Sequence, residues 1–263
     1  MADEVLQRTQ DGSIHVLKLN CPERLNILSE RMLDELQSAL DDISRRPEIR
    51  CVILRAEGRA FCAGHDLREM TRNRQSEDGG KEYFRTIFDK CAAMMMSITQ
   101  LPQPVIAQVQ GSAVAAGCQL VATCDLAVAA TNAEFGVNGV NIGLFCSTPM
   151  VALSRNLPRK HAFEMLTTGR LIGAEEACRV GLVNRVVQAE ELEDSTAALA
   201  ETVASKLDAA VRIGKRAFYE QAEMTLSDAY GFAGDVMVEN MMHRDTKEGI
   251  SAFLDKREPH WTQ

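Results

Sequence analysis

Two glycine-bearing loops carry the residues with chemical potential. The first is Ala60-Phe61-Cys62-Ala63-Gly64-His65-Asp66-Leu67, which follows the apolar run Cys51-Val52-Ile53-Leu54. The second is Gly111-Ser112-Ala113-Val114-Ala115-Ala116-Gly117-Cys118-Gln119-Leu120, which follows Val105-Ile106-Ala107-Gln108-Val109. Strand-to-turn-to-helix junctions of this kind can aim two backbone N–H groups at one point. Such a pair can hold the oxygen of a thioester as it becomes negative. Each donor of this type is worth about 2.7–4 kcal/mol of transition-state stabilisation.

The elements that must position these loops are readable from pattern. Val5 to Thr9 and Ile14 to Leu19 flank Asp11-Gly12, a hairpin turn signal. Ser29 stands as an N-cap before Leu33, Leu36, Leu40 and Ile43, which recur at helical spacing up to Pro47. Cys51 to Arg55 and Val105 to Val109 are buried strands, and a helix opens at about Ala116. Arg68 to Gly80 is polar and reads as a mobile surface segment. Glu82 to Thr99 is helical; its Met94-Met95-Met96 cluster is read as core packing rather than an adaptable ligand pocket. Strands follow at Asp125 to Ala130, Glu134-Phe135 and Asn184 to Val187. Helices at Lys160 to Thr168 and Ala174 to Val180 stop at Gly169 and Gly181. Everything after about Glu190 is helical in pattern. The expected class is α/β, with a core over residues 1–190 and a helical C-terminal region over 191–263.

Composition bounds the function classes. The chain has 263 residues with 46% hydrophobic and only 5% aromatic, so a large aliphatic core is expected. A formal charge of −8 argues against a nonspecific nucleic-acid surface. It leaves room for an anionic ligand at a local basic cluster. Eight scattered cysteines with no C-x-x-C pair read as free thiols in a reducing compartment, not as a disulfide framework or metal site. No apolar run reaches the ~18 residues of a membrane span, and the acidic start Met1-Ala2-Asp3-Glu4 lacks a secretory h-region. A cytoplasmic location is the default, with the mitochondrial matrix as the alternative.

With both loops placed, the chain resembles the crotonase superfamily, the enoyl-CoA hydratase/isomerase family, over nearly its whole length. Pro22-Glu23-Arg24-Leu25-Asn26-Ile27-Leu28 resembles the family's early motif beside the CoA path. Phe61 to Leu67 and Gly111 to Leu120 resemble its two oxyanion loops. Leu166-Thr167-Thr168-Gly169 and the following Ala174, Ala177, Gly181, Leu182 and Val183 resemble its late signature. Ser251 to Arg257 resembles its C-terminal helix. The resemblance implies a spiral of β-β-α units with a helical trimerisation region, a homotrimer or dimer of trimers, and an acyl-CoA thioester as substrate. Coenzyme A is then part of the substrate, and no separate cofactor or metal is implied.

Carried over by position, the N–H groups of His65 and Ala116 form the oxyanion hole. Leu25, Ala63, Asp66 and Leu67 lie along the CoA path, and Arg24 and Lys256 meet CoA phosphates, Lys256 from a neighbouring subunit. The family's hydratases use two glutamates, whose positions are filled here by Gln119 and Gly139. Glutamine orients water but does not exchange a proton, and glycine offers no side chain. Two-glutamate hydration is therefore not expected, and single-glutamate isomerisation fails on Gly139. Cys146 is a candidate acid, base or nucleophile, with core filling as its plainer role. Ser147 either orients water or N-caps the helix near Pro149. Asn141 either binds an acyl oxygen or closes a loop turn. The His65 ring is expected to pair with Asp66, and Asp66 to cap a turn at Leu67 to Met70. Three functions remain open: an enoyl-CoA hydratase-like enzyme that stabilises an enolate, a decarboxylase or thioesterase on the same scaffold, and a non-catalytic acyl-CoA-binding protein. The Gly-His-Asp loop resembles that of the superfamily's decarboxylases, with Cys146 at their proton-donor position.

Overall fold

The computed structural model describes residues 4–262. The hairpin β1 (Leu6–Asp11) and β2 (Ile14–Leu19) forms across Gly12, whose φ of +55° suits a residue without a side chain. Next come α1 (Glu30–Ser44), β3 (Cys51–Ala56), β4 (Ala60–Cys62), α2 (Leu67–Asn73) and α3 (Lys81–Gln100). Then follow β5 (Val105–Val109), β6 (Ser112–Val114), α4 (Ala116–Thr123), β7 (Leu126–Ala130) and β8 (Glu134–Gly136). The later elements are α5 (Ser147–Asn156), α6 (Arg159–Thr168), β9 (Ile172–Gly173), α7 (Ala174–Arg179) and β10 (Arg185–Val187). Four helices end the chain: α8 (Leu192–Ala204), α9 (Asp208–Gln221), α10 (Leu226–Met242) and α11 (Arg244–Asp255).

The strands form two sheets, ordered β1-β2-β3-β5-β7-β10 and β4-β6-β8-β9. Each pair β3/β4, β5/β6 and β7/β8 gives its first strand to one sheet and its second to the other, which is the spiral of β-β-α units. From β2 to β10 the larger sheet is parallel, and β3 lies between β2 and β5. A strand in that place is covered on both faces, which is why Cys51 to Leu54 is an unbroken apolar run.

α1 starts where Ser29 accepts from Met32 N at 3.2 Å, and it buries Met32, Leu33, Leu36, Leu40 and Ile43. α3 packs on α1 and buries Ile87, Cys91, Met94, Met95 and Ile98, while Met96 is exposed. Two of the three clustered methionines are thus core residues. α8 lies across the larger sheet, burying Leu192 and Ala200 against Cys51, Ile53, Ile106, Val128 and Ala130.

Arg68 to Gly80 is more ordered than its polarity implies. Asp66 caps α2 by accepting from Arg68 N at 2.9 Å and Glu69 N at 3.3 Å. Asp78 accepts from Gly80 N at 2.9 Å and Glu82 N at 2.8 Å, which starts α3 and holds its carboxyl down at about 2. Local side-chain acceptors, invisible to a hydropathy pattern, order the segment.

Candidate active site

The two loops meet. Leu28 N donates to Gly64 O at 2.8 Å and Ala63 N to Leu25 O at 3.0 Å, tying the first loop to Pro22–Leu28. Ala115 N donates to Gly136 O at 2.8 Å, tying the second to β8. Gly64 has φ +87°, and a Cβ there would stand 3.0 Å from Ala115 Cβ and 3.2 Å from Ala116 N. A Cβ on Gly117 would stand 2.1 Å from Cys62 O. Both glycines are therefore needed for the close approach of the two main chains.

Ala115 adopts φ +50° and ψ −120°, a conformation that strains a residue bearing a Cβ by about 1–3 kcal/mol. That kink turns the chain from β6 into α4 and leaves Ala116 as the first helical residue. Among the described residues, neither the His65 nor the Ala116 amide donates to a protein acceptor. The first amides of a helix have no intrahelical acceptor, so Ala116 N–H is available by construction.

A cleft of about 360 Å³ opens at the first loop and is lined by Arg24, Leu25, Ala63, His65, Asp66 and Leu67 among others. These are six of the residues assigned from sequence to the CoA path and oxyanion hole. Lys256 does not line it; it is exposed at the end of α11, which packs on α10.

One residue sequence reading passed over shapes this wall. Asn26, fully buried at φ +51°, accepts from Cys21 N at 2.9 Å and donates to Glu57 O and Ala60 O, each at 2.8 Å. It clamps the Pro22–Leu28 turn onto the β3–β4 connection. An asparagine in a turn is the available signal, because its short amide serves the backbone and tolerates positive φ.

The expected His65–Asp66 pair does not form. Asp66, 3% exposed, is held by Arg24 and by the two amides of α2. The His65 ring instead stands edge-on to Phe88, with centroids 5.5 Å apart. Both ring nitrogens are buried, and burial lowers the ring's pKa against a smaller opposing effect of the Leu28 main chain. Adjacent residues here diverge, and the guanidinium from the neighbouring turn wins the carboxylate.

Gln119 is 5% exposed on α4, and its Oε1 is buried without a hydrogen-bond partner. Gly139 is buried, and its space is taken: a Cβ there would stand 2.5 Å from Leu144 O and 2.8 Å from Cys146 Sγ. Cys146 therefore packs over Gly139. Burial pushes its thiol up, against a weaker opposing effect from the Gly139 backbone. A neutral thiol results, which disfavours a nucleophilic or basic role.

Ser147 is not an N-cap. It is the first residue of α5, its hydroxyl donates to Phe145 O at 3.3 Å, and Pro149 falls at the third helical position, where no amide is required. Asn141 is exposed and donates to Gly169 O at 3.4 Å, closing a turn between its loop and the end of α6.

A second polar cluster was missed altogether. The Lys215 ammonium on α9 donates to Ile98 O and Gln103 O at 2.9 Å and to Asp125 Oδ2 at 2.6 Å. Asp125 also accepts from Tyr219 at 2.9 Å and Val105 N at 2.7 Å. Every ammonium proton is used, so the cluster fastens α9 to the core. No sequence signal links positions 90 residues apart.

The sequence matches the family profile described as enoyl-CoA hydratase/isomerase over residues 9–263. It is 46% identical to human (Homo sapiens) enoyl-CoA hydratase domain-containing protein 3, mitochondrial, over 97% of this chain and 82% of that one. It is 36% identical to a putative enoyl-CoA hydratase of Thermus thermophilus, over 97% and 99%. Among solved structures, an enoyl-CoA hydratase of Mycobacterium smegmatis is 48% identical, with a TM-score of 0.95 over 99% of this chain and 100% of that one. Human enoyl-CoA hydratase domain-containing protein 3 superposes with a TM-score of 0.93 at 43% identity, over 98% and 100%. With two loops that meet, a cleft beside them and the spiral fold beneath, the chain belongs to the enoyl-CoA hydratase/isomerase family.

Proposed function

We propose that the protein binds an acyl-CoA thioester in the Arg24–Leu67 cleft and stabilises its enolate between the amides of His65 and Ala116. The observation that supports this reading is the close approach of the Gly64 main chain to Ala115 and Ala116, where a Cβ would have no room, together with His65 and Ala116 amides that have no main-chain acceptor among the described residues. In this reading Leu25 and Ala63 flank the pantetheine arm, and the exposed side of Arg24 meets phosphate. Arg24 then has two duties, because it also holds Asp66.

Hydration by two carboxylates is not part of the proposal. Gln119 does not exchange a proton, and the space at Gly139 is filled by Leu144 O and Cys146 Sγ. That plugged position favours the alternatives of decarboxylation, thioester cleavage or binding with little turnover, since none needs a carboxylate there. The neutral Cys146 thiol is a proton donor, not a base, in any of them.

Oligomerisation is part of the same reading. α10 runs for 17 residues with none buried, and Leu226, Tyr230, Met237, Val238 and Met242 are each more than half exposed. So much exposed apolar surface marks a contact face, which supports a homotrimer or dimer of trimers. That assembly offers Lys256 a neighbour's cleft. The eight free cysteines suit a reducing compartment, and the mitochondrial relatives favour the matrix over the cytoplasm.

Incubation with a mixed acyl-CoA library, read by mass spectrometry, tests the reading. Loss of carbon dioxide, release of CoA and gain of water each have their own mass change. Chromatography resolves double-bond migration. No binding of any acyl-CoA by calorimetry refutes it.

A further inference from the structure

The His65 N–H shares one peptide plane with the carbonyl of Gly64. A trans peptide is planar and sends those two groups in opposite directions. Leu28 N–H holds the Gly64 carbonyl at 2.8 Å, and Leu28 and His65 are partners in an isolated parallel bridge. The aim of the His65 N–H is therefore fixed from behind, by the main chain of Leu28.

The turn that presents Leu28 needs holding in its own right. Leu25 and Asn26 stand at φ +56° and +51°, consecutive left-handed residues, neither of them glycine. Residues with a Cβ seldom keep that geometry unless their surroundings enforce it. The Asn26 side chain enforces it here. Its amide nitrogen donates to Glu57 O and Ala60 O, each at 2.8 Å, and its oxygen accepts from Cys21 N at 2.9 Å. Gly58, between those two acceptors in sequence, lies so close to Pro22 that a Cβ would stand 2.6 Å from Pro22 Cβ. The turn is thus seated on the connection into β4, the strand that runs straight into Ala63, Gly64 and His65. Both ends of the Leu28–Gly64 bond are tied to one frame. Asn26 itself is 0% exposed and does not line the cleft, although Leu25 and Ile27 on either side do.

We infer that Asn26 is a positioning residue of the oxyanion hole: it sets the direction of the His65 N–H through Leu28 and the Gly64 carbonyl, without touching the ligand. This rests on the acyl-thioester reading above and adds to it the side chain that holds one of the two donors.

Carbon-13 NMR tests it, with a butyryl-CoA analogue labelled at its carbonyl. A CH2 in place of the thioester sulfur keeps the probe from being hydrated or cleaved. Donors on the oxygen polarise the carbonyl and move its resonance downfield, and with the site saturated weaker binding alone does not change that displacement. Bound to the wild type, the resonance is expected downfield of the free analogue. Asn26→Asp keeps the size and the acceptor for Cys21 N but offers Glu57 O and Ala60 O no donor at neutral pH. Its displacement is expected to fall to about half or less, one of two donors being misaimed. Asn26→Gly accepts the positive φ without strain, drops all three bonds and is expected to do the same. Melting temperatures report which variants are folded, and either one suffices. A full displacement in a folded variant overturns the inference and leaves the acyl-thioester reading standing. No displacement in the wild type removes the oxyanion reading itself.

Discussion

Gly139→Glu tests whether the surrounding chain leaves room for a carboxylate at position 139. The new Cβ would stand 2.5 Å from Leu144 O and 2.8 Å from Cys146 Sγ. The first neighbour is backbone and moves only with its loop. Overpacking of this kind costs about 1–3 kcal/mol, and the backbone contact puts the cost at the upper end. About 3 kcal/mol corresponds to a fall of about 6–12 °C in Tm for a chain of this size. Adding Cys146→Ala removes the sulfur contact and leaves the carbonyl contact, so it recovers part of the loss. The two substitutions then couple by more than about 0.5 kcal/mol. Thermal melting of the single and double variants gives that number. Crotonyl-CoA hydration by Gly139→Glu, and by Gly139→Glu with Gln119→Glu, gives the chemistry. Both are expected to stay at least about a hundredfold below the enzyme median of ~10 s⁻¹, a deficit of about 2.7 kcal/mol in activation free energy. An unchanged Tm in Gly139→Glu refutes the packing argument. Hydration near ~10 s⁻¹ by the double variant refutes the claim that the surrounding chain excludes a working carboxylate at position 139.

Gly64→Ala adds a Cβ 3.0 Å from Ala115 Cβ at a backbone φ of +87°, forcing the two loops apart. Any turnover found by the library screen is expected to fall by about 10²–10³, the loss of one oxyanion donor, and turnover within tenfold of wild type contradicts the paired-amide reading. Lys215→Met leaves Asp125 with its amide and phenol donors but no cation, at a cost of about 3–5 kcal/mol in urea denaturation, and Lys215→Met with Asp125→Asn is expected to lose less. His65 is lowered by burial, so the unfolded chain takes up that proton first as pH falls below about 6.5, and stability declines from there toward the folded pKa. His65→Phe is expected to flatten that decline by up to about 1.4 kcal/mol per pH unit while keeping the main-chain amide; an unchanged slope assigns the decline to His15, which burial also lowers.

Much of the scaffold was legible because period and punctuation agree with the final packing. The run Cys51 to Leu54 is apolar throughout because β3 is sandwiched, and Val105 to Ala107 in its neighbour β5 is apolar for the same reason. Gly64, Gly169 and Gly12 all stand at positive φ, so glycine marked real changes of direction. The residues of the cleft were legible only through the resemblance, which placed Arg24 and Leu25 beside Ala63 and His65 although about 40 positions separate the two segments.

What failed was side-chain partnering, and it failed for one physical reason. A carboxylate chooses the donor that geometry brings to it, not the donor next to it in sequence. Asp66 passes over the adjacent His65 for Arg24, and Asp125 finds Lys215 and Tyr219 from a helix far along the chain. The same logic explains the site's unusual character. A carboxylate at position 139 would need room and a partner, and the chain supplies a carbonyl and a thiol in its place. At position 119 the chain keeps a polar group but leaves its acceptor unpaired. A packed position 139 and an unfilled acceptor at 119 both lie outside the two main-chain loops that meet at Gly64. The close approach of those loops depends on Gly64, Ala115 and Gly117 rather than on any ionisable side chain.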